Sequence, residues 1–202
     1  MNFSIVGGVN SSNANLTASA VQTSGGTTYS SSSGSGYFFG ALFTNHFSHL
    51  LSLELGIIYE HDQMGLTVAN SAANMSVNLT EHFSRLQVPL VLRAHLIPSF
   101  FNVGVGGYWS TSIGNVSVDS SNQSIFTSKS TGSFFDLGLL PTDLGAIGSV
   151  QITIPLMPMF KILIEGRYLI GLRNDTNDPV NNYSSYKTNE WMIAAGPQIS
   201  FF

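Results

Sequence analysis

"KILIEGRYLIGL", residues 161–172, sets an acid and a base inside an otherwise apolar run. Read at a period of two, Ile162, Ile164, Gly166, Tyr168 and Ile170 share one face. Lys161, Leu163, Glu165, Arg167 and Leu169 share the other. Such alternation, with one face wholly apolar, is the pattern of a β-strand.

Working outward, the pattern recurs. "LLSLELGIIYE" (50–60) sets Leu51, Leu53, Leu55, Ile57 and Tyr59 against a face carrying Glu54 and Glu60. "RLQVPLVLRAHL" (85–96) sets Leu86, Val88, Leu90 and Leu92 against Arg85, Gln87 and Arg93. "FNVGVGGYWS" (101–110), "DLGAIGSVQITI" (143–154) and "WMIAAGPQISF" (191–201) behave alike, with Gln151 and Gln198 on the polar faces. "FSIVGGVN" (3–10) and "YFFGALFT" (37–44) bring the set to eight. None of the charges in these segments falls on an apolar face.

Each segment reads as about 9–12 residues, the span of a tilted membrane strand. The spacers alternate, short near 44–49, 97–100 and 155–159, long over 11–36, 61–83, 111–141 and 173–189. Short turns on one side and long loops on the other are the habit of an outer-membrane barrel. Aromatics on the apolar faces fall into two rows, as at two membrane interfaces. Phe3, Phe43, Phe101, Phe160 and Phe201 lie at the short-turn end, and Tyr37, Tyr59, Trp109, Tyr168 and Trp191 at the long-loop end. The reading is all-β: an eight-stranded antiparallel up-and-down transmembrane β-barrel, one domain over residues 1–202. Its apolar faces meet lipid and its polar faces line the interior.

Composition agrees. Charged residues make up 9 % of the chain, hydrophobic residues 43 %, and the net charge is −4. A soluble surface so poor in charge would self-associate. Seven basic residues scattered over the chain do not make a nucleic-acid footprint. There is no cysteine, so disulfides and thiolate metal sites are excluded. "MNFSIVGG" does not read as a secretory signal, so an exported chain is expected to have lost one. The apolar stretch 144–160 holds two prolines and polar residues, which makes it a poor membrane helix.

The segments "GYFFGALF", "LLSLELGIIY", "LQVPLVLRAHL", "FNVGVGGYW", "TDLGAIGSV", "ILIEGRYLIGL" and "WMIAAGPQISF", in this order, resemble the PorT-like small outer-membrane β-barrels of Gram-negative bacteria. These are similar in shape to the eight-stranded OmpA and OmpX types. The resemblance implies the fold and an outer-membrane location; it implies no common activity. Phe201 holds the lipid-facing phase in which such barrels usually close, but Phe202 follows it.

The candidate site is the interior. Glu54 and Arg93 lie on hairpin partners at similar height, with Glu165 and Arg167 near them. Two acids and two bases form a balanced cluster, and Gln87, Gln151 and Gln198 are placed to complete its hydrogen bonds. Arg85, Glu60 and Asp143 suggest a second group nearer the outer mouth. The expected role is non-enzymatic, structural or surface-interacting, with the interior filled by side chains. A narrow channel or ligand conduit is the alternative. A lipid-modifying enzyme is the second, because His82 and Ser84 of "EHFS" (81–84) share a lipid-facing phase. "NDTNDPVNN" (174–182) offers Asp175 and Asp178 to a calcium ion but lacks the EF-hand spacing and reads as a solvated loop. Short strand extensions are conceivable in the long loops around Val21, Ile113 and Phe126. No cofactor or metal is expected. The partners are outer-membrane lipid and a surface partner met by the loops, and the chain is expected to be a monomer.

Overall fold

The structure is a computed structural model, and it describes residues 1–18, 27–70, 75–98, 100–120, 130–132, 142–172 and 183–201. The strands are β1 (Asn2–Ala18), β2 (Thr27–His46), β3 (Leu51–Asn70), β4 (Met75–Ile97), β5 (Phe101–Ser120), β6 (Ser130–Gly132), β7 (Thr142–Pro155), β8 (Phe160–Gly171) and β9 (Tyr183–Ser200). Neighbours pair antiparallel, from β1–β2 through β4–β5, then β5–β7, β7–β8 and β8–β9. β9 returns to β1, with Asn2 opposite Ser200 and Asn10 opposite Met192. The wall is thus a closed barrel of eight strands, and β6 pairs with Val116–Val118 of β5 beside it. Closure satisfies the backbone without water, which a lipid-embedded sheet requires.

Burial follows the period of two. Inside lie Val6, Phe38, Leu42, Ile58, Val91, Tyr108, Ile147, Leu163, Leu169 and Met192. Outside, Ile5, Phe39, Ile57, Leu90, Val105, Ile164 and Ile193 stand exposed, Val105 to 67 %. An apolar belt of this kind is far beyond what a soluble monomer leaves bare. Lipid makes it favourable.

The strands run longer than the alternation predicts. β2, β3 and β5 have 20 residues each and β4 has 23, against the expected about 9–12. Much of what reads as loop is ladder. Thr27 pairs with Asn70, and Asn70 with Met75, well beyond the outer aromatic row. The reason is physical. Backbone pairing needs no apolar face, so a Ser/Thr-rich stretch such as residues 27–36 of β2 extends the ladder without any alternation. Ile113 lies in such an extension of β5, whereas Val21 and Phe126 fall outside the described residues.

The interior is filled by setting large groups over small ones. A Cβ added at Gly145 would lie 2.3 Å from the Tyr108 ring and 2.3 Å from the Ile170 carbonyl oxygen. One at Gly56 would meet Leu42 at 2.5 Å, and one at Gly104 would meet Val91 at 2.7 Å. Gly145→Ala is therefore expected to destabilise the barrel by about 1–3 kcal/mol, because the backbone contact cannot yield as a side chain does. Urea unfolding in lipid vesicles measures it. An unchanged midpoint would show that Tyr108 is not seated on Gly145.

Candidate functional site

Among the described residues, two clusters of buried charge occupy the barrel. The inner one joins Glu54 of β3, Arg93 of β4, and Glu165 and Arg167 of β8, none more than 2 % exposed. Arg93 grips Glu54 with two parallel bonds, Nε to Oε2 and Nη2 to Oε1, each 2.8 Å. Its Nη2 also donates to Glu165. Arg167 Nη2 donates to Glu54 Oε1 and to Glu165 Oε2, both at 2.8 Å. Each arginine therefore touches both acids, and the four charges cancel. Fork geometry and neutrality are what a buried ionic group needs to offset desolvation.

The glutamines occupy the interior but do not do what the spacing suggests. Gln87 Oε1 and Gln151 Oε1 are buried without a hydrogen-bond partner. Gln198 donates to Ser4 Oγ at 3.1 Å. The further hydrogen bond to the quartet comes from Ser149, whose Oγ accepts from Arg93 Nη1 at 3.2 Å. Gly104 of β5 stands opposite both Arg93 and Ser149, and the β5–β7 register, set across a long connection, is one that sequence alone does not fix.

Below the quartet, toward the short turns, opens a cavity of about 200 Å³ lined by His46, His95, Asn102, Lys161 and Arg93 among others. His95 contacts Asn102 through Nδ1 and Ser52 Oγ through Nε2, the latter at 2.9 Å. The cavity reaches Arg93 of the quartet.

The outer cluster differs in membership and in charge. Arg85 Nη2 faces Glu60 at 3.2 Å, Asp62 at 2.5 Å and Glu190 at 2.8 Å. Asn10 Nδ2 donates to Glu190 Oε1 at 2.6 Å and to Asp62 Oδ1. Along β3, Gly56 and Ile58 separate it from the quartet. Asp143 stands apart. It accepts from the Tyr108 hydroxyl at 2.7 Å and from the Leu144 amide at 2.6 Å. The sequence reading therefore groups Arg85 with Glu60 rightly and misplaces Asp143. It misses Asp62, Glu190 and Asn10. Continuing the period of two past the aromatic row would have found them, since Asp62 shares the phase of Glu60, and Glu190 that of Met192.

On the outer wall, Tyr37, Trp109 and Trp191 are exposed, and Tyr168 packs on Trp191 with ring centroids 4.4 Å apart. Tyr59 lies 5.0 Å from Phe39. At the other end Phe43 and Phe201 are exposed, and Phe3, Phe101 and Phe160 are half-buried. Ser84 Oγ lies 2.9 Å from the Tyr59 hydroxyl and 3.0 Å from His61 Nδ1. His82 lies beside His61, with ring centroids 6.4 Å apart. The contact that links Ser84 to His61 crosses from β4 to β3, where His61 stands opposite Ser84. Residues 174–182, the calcium candidate, fall outside the described residues.

Comparison with known proteins bears on the fold. OprG, an outer membrane protein of Pseudomonas aeruginosa, is similar in fold at 16 % identity and a TM-score of 0.54, over 99 % of this chain and 95 % of that one. Ail, the attachment invasion locus protein of Yersinia pestis, gives 12 % identity and a TM-score of 0.42 over 98 % of this chain and 97 % of its own. The outer membrane protease OmpT of Escherichia coli gives 8 % and 0.42, over 99 % and 96 %. No curated protein is significantly similar in sequence. Residues 1–177 match the family described as outer membrane protein beta-barrel domain. With the closed barrel and its apolar belt, that match locates the protein in the outer membrane of a Gram-negative bacterium, and the chain belongs to the outer membrane protein beta-barrel domain family.

Proposed function

We propose that this protein is a non-enzymatic, monomeric outer-membrane barrel, closed to solutes, whose work is done by its polar outer surface as a structural or surface-interaction protein. The observation that supports this reading is the occluded interior. Leu42, Ile58, Val91, Leu163 and Met192, with the four quartet charges, are all 2 % exposed or less. Eight strands enclose a space that side chains fill. The two aromatic rows act as interface anchors, and the lipid belt is the partner of the wall. The strand extensions beyond the outer row are rich in Ser, Thr and Asn in sequence, which suits a partner met at the surface. A PorT-like placement within the family rests on the strand segments that carry that resemblance.

Planar-bilayer recording on the refolded protein tests it. The expected result is no steady single-channel step. Reproducible steps that survive removal of the long hairpin tips favour instead a conduit gated by the quartet.

One observation supports a second reading, lipid-ester cleavage at the outer wall: the Ser84 hydroxyl lies within hydrogen-bond reach of His61. That pairing puts a base beside a nucleophile at the lipid interface. Fatty-acid release from outer-membrane lipid, lost in Ser84→Ala, would support it. No release by the wild-type protein removes it.

A further inference from the structure

We propose that the outer cluster binds a hard divalent cation, calcium or magnesium, through Glu60, Asp62, Glu190 and Asn10. Charge is the first observation. Among the described residues three buried carboxylates face one guanidinium, which with every group ionised leaves two negative charges uncompensated. The inner quartet, in the same barrel, is neutral, so the excess is particular to this place.

The second observation concerns partners. Glu60 is fully buried, and neither of its oxygens has a hydrogen bond; its one ion pair is the 3.2 Å contact to Arg85. Asn10 Oδ1 is likewise buried and unpartnered. Buried oxygen atoms without donors are costly and call for one. What these four side chains lack is positive charge.

Geometry supplies the third. Arginine usually meets carboxylates as a fork. Here a single nitrogen, Nη2, serves three carboxylates while Nε has no partner. Arg85 acts as a point charge on one side of the acids. On the other side, Asp62 Oδ1 and Glu190 Oε1 both turn toward the Asn10 amide. Oxygen and nitrogen of an asparagine amide exchange places by a half-turn. That turn gives Asn10 Oδ1 to the same point, beside one oxygen each from Asp62 and Glu190. One oxygen from each of the three carboxylates lies within 4.8 Å of the others. A doubly charged ion held among these carboxylate oxygens, with Arg85 still in place, balances the three carboxylates. The donors are all oxygen, with carboxylates dominant, which selects calcium or magnesium over the softer transition metals. The proposal does not depend on whether the barrel conducts.

The test is calorimetric titration of the refolded chain in detergent, stripped with a chelator and dialysed, using calcium chloride and then magnesium chloride. Terbium luminescence gives a second readout. One saturable site per chain is expected. Asp62→Asn and Glu190→Gln are each expected to weaken it by about tenfold or more, since affinity follows ligand charge. Asp143→Asn, outside the cluster, is expected to bind as the wild type does. Folding of each variant is checked by its heat-dependent mobility in electrophoresis. No saturable binding by the wild-type chain overturns the proposal, and that result needs no variant. Equal affinity in folded Asp62→Asn and Glu190→Gln also overturns it, because the ion would then be held elsewhere.

Discussion

Arg93→Ala is expected to cost about 3–5 kcal/mol of barrel stability, more than the double change Arg93→Ala with Glu54→Ala. Arg93 holds Glu54 and Glu165 together, and its loss leaves two buried carboxylates to share Arg167. Removing Glu54 as well restores balance, because Glu165 keeps its 2.8 Å bond to Arg167. The second mutation should therefore recover part of the loss, and the coupling should exceed about 1 kcal/mol. Urea unfolding of the four proteins in lipid vesicles gives the cycle. Strictly additive effects would show that the quartet is four independent charges and not a unit.

The two clusters are expected to answer the same substitution with opposite signs. Glu54→Gln removes one of two acids from a balanced group and should destabilise by about 3–5 kcal/mol, since two buried guanidiniums then compete for one carboxylate. Glu60→Gln removes charge from a group that has too many acids. In chelator, it should leave stability unchanged or raise it by about 1–3 kcal/mol, because a carboxylate with no hydrogen bond becomes neutral. The glutamine amide also brings donors toward Asp62 and Glu190. Both variants are measured against the wild type in the same unfolding experiment. A large loss in Glu60→Gln would mean that Glu60 is compensated, and the accounting of the outer cluster would fail.

Alternation made the barrel legible. Glu165 and Arg167 could be assigned to the interior from twelve residues, because Ile164 and Tyr168 had to face elsewhere. Glu54 and Arg93 could be paired because consecutive strands of an up-and-down barrel are neighbours. Three things were not legible, for different reasons. Residues 27–36 of β2 are almost all Ser, Thr and Gly, so their ladder leaves no periodic trace. Register between strands distant in sequence is not written in either strand, which is why Ser149 rather than a glutamine bonds Arg93. Asp62 and Glu190 lie just beyond the outer aromatics, where a reading that equates the strand with the membrane span stops too soon. His61 escaped for the same reason: its contact with Ser84 runs across strands, while "EHFS" draws attention along one.

The central claim is that, beyond the cavity at the short-turn end, the inward face of this wall is filled by side chains while the outward face meets lipid. The chain has no cysteine, so one introduced at a time reports its own surroundings without background. Leu163 is fully buried inside and Ile164, its neighbour, is exposed outside. The measurement is the labelling rate of Leu163→Cys in lipid vesicles by a charged, water-soluble methanethiosulfonate added to both sides, with Ile164→Cys labelled by a lipid-soluble maleimide as the paired reference. The account predicts rapid lipid-phase labelling at 164 and no measurable aqueous labelling at 163 in the folded barrel. Rapid aqueous labelling at 163 would contradict it, and the interior would have to be redrawn as a water-filled pore.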